Sequence, residues 1–572
     1  ADPLSDAPPR RRKSVWRRHG LGSLFFSLLL AALVGLLLYV LMGRPIAAPD
    51  WLRDRIQAEV AAGAEDARLT FDTLNFVVED ARYPRLRMTN VRVLSRSGAE
   101  VVGFAELRAG LSLGELLTGR VLVNEIDVSG VFANLRRRAD GSVVLSGGYD
   151  LTAPAEQAAS FGALIERIDT LIARPAMAAL RSAEVQALTL RLEDERTGRA
   201  WTIAGGRLNA ERSGDTLRLT SDLALLSGWQ GVATFQANYE SLIGSTAARF
   251  GATLNDVAAT DIAAIATPFA WLDVLRAPIS GAMRGGVSED GALTPLSVTF
   301  SIGEGAIQPT DATRPVPFSS ARSYFSFDPA TRVMSFDELS VQSDWISARI
   351  DGQAALNVTE AGALDDIVGQ FAATTLTANP ADLYEAPIVM DAANMDFRMS
   401  LAPFTLEIGQ AVFEEQGQAL LARGTLVAEP EGWRYALDAQ MDGLAPDRLF
   451  GLWPEAFVPK VRAWVVENLI AGEMRDIDFV LRDGPNTNPD AYFSFAYDQA
   501  EVRYVRTLPP VTGAQGTASL LDGRFVVAVD QGQVAAAAAQ ARGDDCRYHL
   551  IRQRHGTRRG KRGFDRGAHC CR

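Results

Sequence analysis

From Leu69 onward, apolar and polar residues alternate with a period of two, and the pattern recurs along most of the chain. Leu86 and Met88 alternate with Arg85, Arg87 and Thr89, and Leu188, Leu190 and Leu192 with Thr189, Arg191 and Glu193. Val121 and Val123, then Ile126 and Val128, read the same way, as do Leu217, Leu219, Leu223 and Leu225. Successive strand side chains point to opposite faces, so each segment has one apolar and one polar face, the signature of antiparallel sheet. After Asn90 the phase slips, with Val91 and Val93 apolar, which predicts a bulge or bend. Asp-Gly pairs begin at 140, 290, 351, 442, 483 and 522, and between alternating runs this dipeptide is a strong hairpin signal. Asp351-Gly352 sits inside such a run and suits a bulge instead. At roughly 12 residues per strand and turn, the chain predicts on the order of 30 strands, and open twisted sheets rarely exceed about 10 strands without curling. The expected fold is therefore mainly β, a repetitive, two-faced antiparallel sheet that curls. Leu188, Leu190, Leu192, Leu217, Leu219, Leu223 and Val341 are candidates for its apolar face.

A second feature fixes where such a sheet would lie. Residues 21–42, LGSLFFSLLLAALVGLLLYVLM, run 22 residues without a charge. As a helix at ~1.5 Å per residue the run spans about 33 Å, enough for a hydrocarbon core about 30 Å thick. Leu21, Phe25, Leu29, Leu36, Tyr39 and Met42 are the anchor residues of this predicted transmembrane helix. Arg10, Arg11, Arg12, Lys13, Arg17 and Arg18 precede it, and only Arg44 follows closely. Basic residues stay on the cytoplasmic side, which predicts a single pass of the cell inner membrane, a cytoplasmic N-terminus and a periplasmic bulk. A signal peptide, the rival reading, has an apolar region of about 7–15 residues, shorter than this one.

Helical spacing interrupts the alternation. Residues 49–66 read as a short amphipathic helix, with Asp50 as cap and Trp51, Leu52, Ile56 and Val60 roughly on one face; it either rests on the membrane or packs on the sheet. Residues 155–184 carry Phe161, Leu164, Ile165, Ile168 and Leu171 at helical spacing. Residues 258–275 form an Ala-rich apolar helical stretch split by Pro268, residues 380–384 a brief helical interruption, and residues 448–470 an aromatic stretch divided by Pro454 and Pro459. The resulting organisation is a basic tail (1–20), the anchor (21–42), a juxtamembrane segment (43–66), a β region (67–150), a helical insertion (151–187), repetitive β (188–443), a helical signature (444–483), continuing β (484–540) and a distinct tail (541–572).

Charge and residue usage exclude several functions. Of the 57 Lys and Arg, 6 lie in residues 1–20 and 10 in 541–572; of the 69 Asp and Glu, 2 and 3 do, so the middle holds 41 against 64, a net of −23. Such a body does not bind nucleic acid through phosphate neutralisation. The three cysteines are Cys546, Cys570 and Cys571, and no histidine occurs between His19 and His549. The body thus offers no disulfide framework, thiolate nucleophile, imidazole base or imidazole metal ligand. Asp365-Asp366 and Glu414-Glu415 supply the paired carboxylates a glycosidase uses, but they read as solvated turn charges. Lys460 reads as a side chain that snorkels from an aromatic helix. Neither catalysis nor a cofactor is expected.

The tail from Arg542 breaks with everything before it, being rich in Arg, Gly, His and Cys without alternation. Its Cys546, His549, His555, His569, Cys570 and Cys571 match no common zinc-finger spacing. We read it as an out-of-frame product of a GC-rich gene.

Two segments carry a family resemblance. Leu116-Leu117-Thr118-Gly119, Gly130 and Arg137-Arg138-Ala139-Asp140-Gly141 resemble the N-terminal region of AsmA-like proteins. Trp453, Pro454, Pro459, Arg462, Trp464, Gly472 and Phe479 resemble the Trp-Pro…Pro-x-x-x-x-Trp signature of the YhdP branch of that family, related to TamB; Val502–Tyr504 and Leu508-Pro509 through Asp522-Gly523 continue it. The resemblance covers about residues 20–540. It implies an elongated sheet rolled lengthwise into a taco-shaped periplasmic groove that moves phospholipid between inner and outer membrane, with acyl chains, the inner membrane and envelope proteins as partners. The candidates for the apolar face then line the groove. The physics suits this role. Burying a CH₂ is worth about 0.8 kcal/mol, so a sixteen-carbon chain loses roughly 12 kcal/mol on entering water. A continuous apolar trough exchanges one apolar contact for the next and removes that barrier. The alternatives are a dry core within a non-transport assembly scaffold, and a carboxylate hydrolase.

Overall fold

A computed structural model of the chain describes residues 45–534 with breaks, the longest at 57–66, 112–121 and 151–178, together with Leu28, Leu29 and Tyr548–Leu550. The described chain is mainly β: a large, mostly antiparallel sheet that does not close into a barrel, and few helices. It divides into two compact units, residues 1–254 with 284–294, and residues 255–283 with 295–572.

The first unit holds β1 (Ile46–Ala47), β2 (Ala67–Thr70), β3 (Thr73–Glu79), β4 (Tyr83–Ser95), β5 (Glu100–Leu111), β6 (Val123–Arg137), β7 (Val143–Leu145), β8 (Tyr149–Asp150), β9 (Ser182–Asp194), β10 (Arg199–Ser213), β11 (Thr216–Leu226) and β12 (Ala233–Leu242). β3, β4, β5 and β6 pair in sequence order, and β9 to β12 do the same. The join between the two runs is β6 with β9, and it is parallel, pairing Glu125 with Ser182 through Arg137 with Asp194. A parallel pair cannot be closed by a tight turn and needs a crossover of a dozen or more residues. The predicted helix 155–184 lies in that connection; its core is outside the described residues, and its end is corrected, because Ser182–Glu184 begin β9.

Local chemistry explains the register. Leu86, Met88 and Val91 are all buried, which requires the phase slip expected at Asn90. Asn90 takes φ 50°, and its Nδ2 donates to Asp72 Oδ2 at 2.8 Å. On the polar face, arginines and carboxylates interleave across strands: Arg85 with Glu125 at 3.0 Å and Asp127 at 3.3 Å, Arg87 with Glu106 at 2.7 Å. Leu52 is buried against Leu74, Leu86 and Met88, with Ile56 packed beside it, so this segment rests on the sheet. Its Trp51 and Val60 lie outside the described residues.

The second unit begins with α1 (Ala259–Ala263) and a 3₁₀ helix (Thr267–Val274), separated just before Pro268 as expected. The chain continues through β13 (Leu275–Arg276), β14 (Leu296–Ile302), β15 (Gly305–Ile307), β16 (Val316–Phe318), β17 (Ser320–Asp328), β18 (Val333–Gln342), β19 (Ile346–Val358), β20 (Leu364–Ala378), β21 (Ile388–Met390), β22 (Ala392–Leu401), β23 (Phe404–Glu415), β24 (Gln418–Glu429) and β25 (Gly432–Leu444). After α2 (Pro446–Leu452) and α3 (Pro459–Asn468) come β26 (Leu469–Asp483), β27 (Asp490–Val502), β28 (Val511–Leu521), β29 (Arg524–Val534) and β30 (Tyr548–Leu550). β13, β15 and β16 form a small sheet of their own. The others form an antiparallel meander from β14 through β17, β18, β19, β20 and β22 to β30.

The two rims of this meander differ. At one rim lie short connections, as at Asp328–Val333, Leu401–Phe404, Glu429–Gly432 and Leu521–Arg524. At the other lie the 3₁₀ helix, the small sheet, the Asn379–Pro387 loop, α2 and α3, and the Arg503–Pro510 loop.

Asp-Gly chemistry worked at some positions only. Asp290 and Gly523 sit in turns and Asp483 ends β26 just before one, whereas Asp351-Gly352 and Asp442-Gly443 lie within β19 and β25. The bulge expected at Asp351 is present, with register shifts on both neighbouring strands. In the tail, Tyr548–Leu550 pair with Val529–Val527, a strand the sequence reading did not expect; the rest of 551–572 and its cysteines lie outside the described residues. So do Arg10, Arg11, Arg12, Lys13, Arg17, Arg18, Leu21, Phe25, Leu36, Tyr39 and Met42. Leu29 is helical and exposed. Among the described residues no helix is long and apolar enough to cross a membrane.

Candidate functional site, an apolar lane in each unit

In the first unit one apolar face can be followed from strand to strand. Leu74, Leu86, Met88, Val91, Ala109 and Leu111 form one buried cluster. Phe104 and Leu107 of β5 pack against it and also against a second, which centres on Val128, Val131 and Leu188. Of the predicted lining residues, Leu188, Leu190 and Leu223 meet in this second cluster. They meet because Gly206 lies between them: a Cβ there would come within 2.9 Å of Leu223 Cδ2 and 3.3 Å of Leu188 Cβ. Leu192 is half-buried opposite Trp201. Leu217 is buried, and Leu219 shares its face opposite Tyr239, which packs on Ala248 and Val287.

In the second unit the lane is aromatic. Phe300 of β14 meets Phe325 of β17 with centroids 5.8 Å apart, Phe325 meets Phe336 of β18 at 5.3 Å, Phe336 meets Phe371 of β20 at 5.4 Å, and Phe371 meets Phe397 of β22 at 5.0 Å. Each such pair is worth about 0.5–1.5 kcal/mol beyond its area burial. The Phe336–Phe371 contact spans a whole intervening strand, which is possible because Gly352 of β19 is the residue paired with both. Phe397 similarly lies over Gly369, 2.7 Å from where a Cβ would sit. Val341 belongs to this face, since the bulge beyond Phe336 puts Leu339 opposite Ile350 and Val341 opposite Ala348. The sequence reading missed the ladder because Phe300, Phe325, Phe336, Phe371 and Phe397 are scattered in sequence; only the register aligns them. A glycine paired with aromatics in successive strands is the signal that would have found it.

Helices cover the lane in two places. The 3₁₀ helix sets Phe269 against Phe300 at 5.9 Å and Trp271 against Phe325 at 6.5 Å. Further on, Leu449 of α2, Trp453 just after it and Val465 of α3 are buried among Met474, Ile477, Phe495, Tyr497 and Ala500. The signature residues largely converge there. Pro446 and Pro459 occupy first helical turns, where proline's missing N–H costs nothing. Arg462 donates from Nε to the Trp453 carbonyl at 2.9 Å and from Nη2 to the Phe450 carbonyl at 3.2 Å, and pairs with Glu455 at 3.2 Å. Tyr384 Oη donates to the Leu452 carbonyl at 3.3 Å, and burial pushes its hydroxyl pKa up. Gly472 takes φ 146° where β26 crosses Ala500 Cα, and Phe479 is half-buried opposite Phe493. Trp464 does not join them; it faces outward, 40% exposed.

Among the described residues, the carboxyl and hydroxyl groups with shifted pKa are spread over both units. Burial opposes ionisation of Glu106, but hydrogen bonds from Arg87 and Arg108 outweigh it and hold the carboxyl below its ordinary range. Asp127 is pushed up, by burial first and by neighbouring Glu125 second. Burial, with Asp530 adding, pushes the Tyr497 hydroxyl up to about 12 while it donates to the Ala528 carbonyl at 2.8 Å. Asp366 pairs with Arg398 at 3.4 Å. Among the described residues no group of His, Cys, Asp and Glu is arranged to hold a metal ion.

Comparison with family models, curated proteins and solved structures finds no match to this chain.

Proposed function

We propose that this chain is an AsmA-like envelope protein of the YhdP branch, anchored in the inner membrane, whose apolar face conducts phospholipid between inner and outer membrane. The observation that carries the reading is the ladder Phe300–Phe325–Phe336–Phe371–Phe397. It gives a continuous row of apolar contacts perpendicular to the strands, the direction in which an acyl chain would travel. A chain passing along it trades one apolar contact for another and never meets the roughly 12 kcal/mol cost of water. On this reading the protein is not an enzyme and needs no cofactor; the charged face stays in water, with ion pairs individually worth about 0–1 kcal/mol.

A second reading also has an observation behind it. Phe300 and Phe325 are only 2% and 3% exposed, as in the dry core of a non-transport scaffold. Aspartate substitution separates the two. Leu190→Asp, Leu219→Asp or Val341→Asp puts a charge on the apolar face at positions that are only half-buried, so the strands can still form. A conduit loses phospholipid transfer in each variant while circular dichroism stays unchanged. Full transfer in all three folded variants rejects the conduit.

A further inference from the structure

One short segment of the second unit reaches from rim to rim over the lane. Residues 308–315, between β15 and β16, leave the small sheet at the helical rim. There Gln308 N donates to the Val274 carbonyl at 2.8 Å, and Ser343 Oγ to the Pro317 carbonyl at 2.7 Å. At the same rim the Arg314 guanidinium stands over the Trp345 ring, 5.7 Å from its centroid. Yet the Arg314 carbonyl accepts from Trp433 Nε1 at 2.8 Å, 119 residues further along the chain. Trp433 is the second residue of β25, beside the short Glu429–Gly432 connection of the other rim. Register puts it on the lane face. Phe397 pairs with Ile408 and Leu401 with Phe404; Leu406 pairs with Leu426, Leu426 with Tyr435, and Ala428 with Trp433. The Trp433 ring meets Phe404 of that face with centroids 5.9 Å apart. Strand twist of about 20° per pairing, accumulated over the six pairings from β18 to β25, lets the two rims meet.

The segment holds its own shape but grips the lane weakly. Thr313, 1% exposed, donates from Oγ1 to the Thr310 carbonyl at 2.7 Å, and Gln308 Nε2 donates to the Thr313 carbonyl at 3.1 Å. Its sequence, QPTDATRP, has no large aliphatic or aromatic side chain to bury on the lane. α2 and α3, by contrast, are held down by Leu449 and Val465. A polar strap over an apolar face, fastened to β25 through a neutral hydrogen bond, is a cover that opens readily. We propose that residues 308–315 are a gate across the lane, latched by Trp433 and lifted by each acyl chain that enters. The gate rests on the conduit reading. A trough keeps lipid headgroups at its open mouth, and a strap across the mouth must lift for them to pass.

The test uses the full chain in phosphatidylethanolamine–phosphatidylglycerol vesicles containing labelled phospholipid. A photoreactive residue at Val341 reads lipid on the gated lane, and one at Leu190 reads lipid in the first unit. Trp433→Phe keeps a ring on Phe404 and removes the donor. It should speed hydrogen exchange of residues 308–315 about 5-fold, leave β25 protected, and raise lipid crosslinking at Val341. A tether gives the converse. With Cys546, Cys570 and Cys571 replaced by Ser, Arg314→Cys, which keeps the backbone carbonyl, is joined to Glu431→Cys by a reducible bis-maleimide; both positions are exposed. The tethered chain should lose crosslinking at Val341 about 10-fold with Leu190 unchanged, and reductant should restore it. Crosslinking at Val341 that ignores the tether overturns the gate and leaves the conduit standing, as does unchanged exchange in Trp433→Phe. Lipid missing from both positions in the untethered chain overturns the conduit, and the gate with it.

Discussion

Arg462 closes the turn between two helices by donating to the Trp453 carbonyl at 2.9 Å, nine residues earlier in the chain. The same guanidinium reaches the Phe450 carbonyl, so it satisfies two of the orphan acceptors at the end of α2. The turn holds Trp453 down on the lane, where it meets Phe493 with centroids 6.1 Å apart.

Removing that guanidinium should therefore loosen the helices without unfolding the sheet. Charged hydrogen bonds are worth about 1.5–3 kcal/mol each, and Arg462 is mostly covered, so Arg462→Gln should destabilise residues 446–468 by about 2 kcal/mol. Hydrogen exchange should speed up in α2 and α3 while β26 to β28 keep their protection. Equal loss throughout the unit would contradict a local clamp.

Gly352 should tolerate no side chain. A Cβ there would lie 2.1 Å from the Gln370 carbonyl and 2.6 Å from the Phe371 ring, at φ 153°, which L side chains rarely adopt. Gly352→Ala should cost about 2–4 kcal/mol and break the Phe336–Phe371 contact. Gly523→Ala, at a turn with open space, carries only the backbone cost of about 1 kcal/mol. Thermal unfolding of the two variants checks the ranking, and equal losses would refute it.

Two neighbouring carboxylates should respond to pH in opposite senses. Glu106 is held below its ordinary range, so it stabilises the fold above about pH 4.5 and loses that contribution as pH falls through its lowered value. Asp127 is pushed up, so the folded state binds its proton more tightly; its ionisation costs stability as pH rises, and the relative gain lies at acid pH. Glu106→Gln should lower the Tm at pH 7 and leave it little changed at pH 3, whereas Asp127→Asn should raise it at pH 7. Melting curves at the two pH values decide, and shifts of the same sign would contradict the assignment.

Much of the sheet was legible because strand alternation is local. The apolar faces of β4, β9 and β11, the slip at Asn90, the split before Pro268 and the division of the 448–470 stretch at Pro459 all follow from neighbouring residues. What was hidden depends on pairing. The parallel β6–β9 join cannot be inferred from alternation, since both strands read the same in either direction. Asp442-Gly443 has the chemistry of a turn but is absorbed into β25, where pairing with β26 overrides it. The aromatic ladder needed five registers at once. Trp464 was grouped with Trp453 by spacing, yet it lies at the flank of the buried side of α3 and stands 40% exposed.

The conduit reading predicts lipid on the apolar lane of each unit, and in-cell photocrosslinking measures that directly. A photoreactive residue is placed in turn at Leu190, Leu219 and Val341, with Thr220 as an outward control. Labelled phospholipid recovered at all three positions and absent from Thr220 is the predicted result. Crosslinks to protein alone at those positions would contradict it.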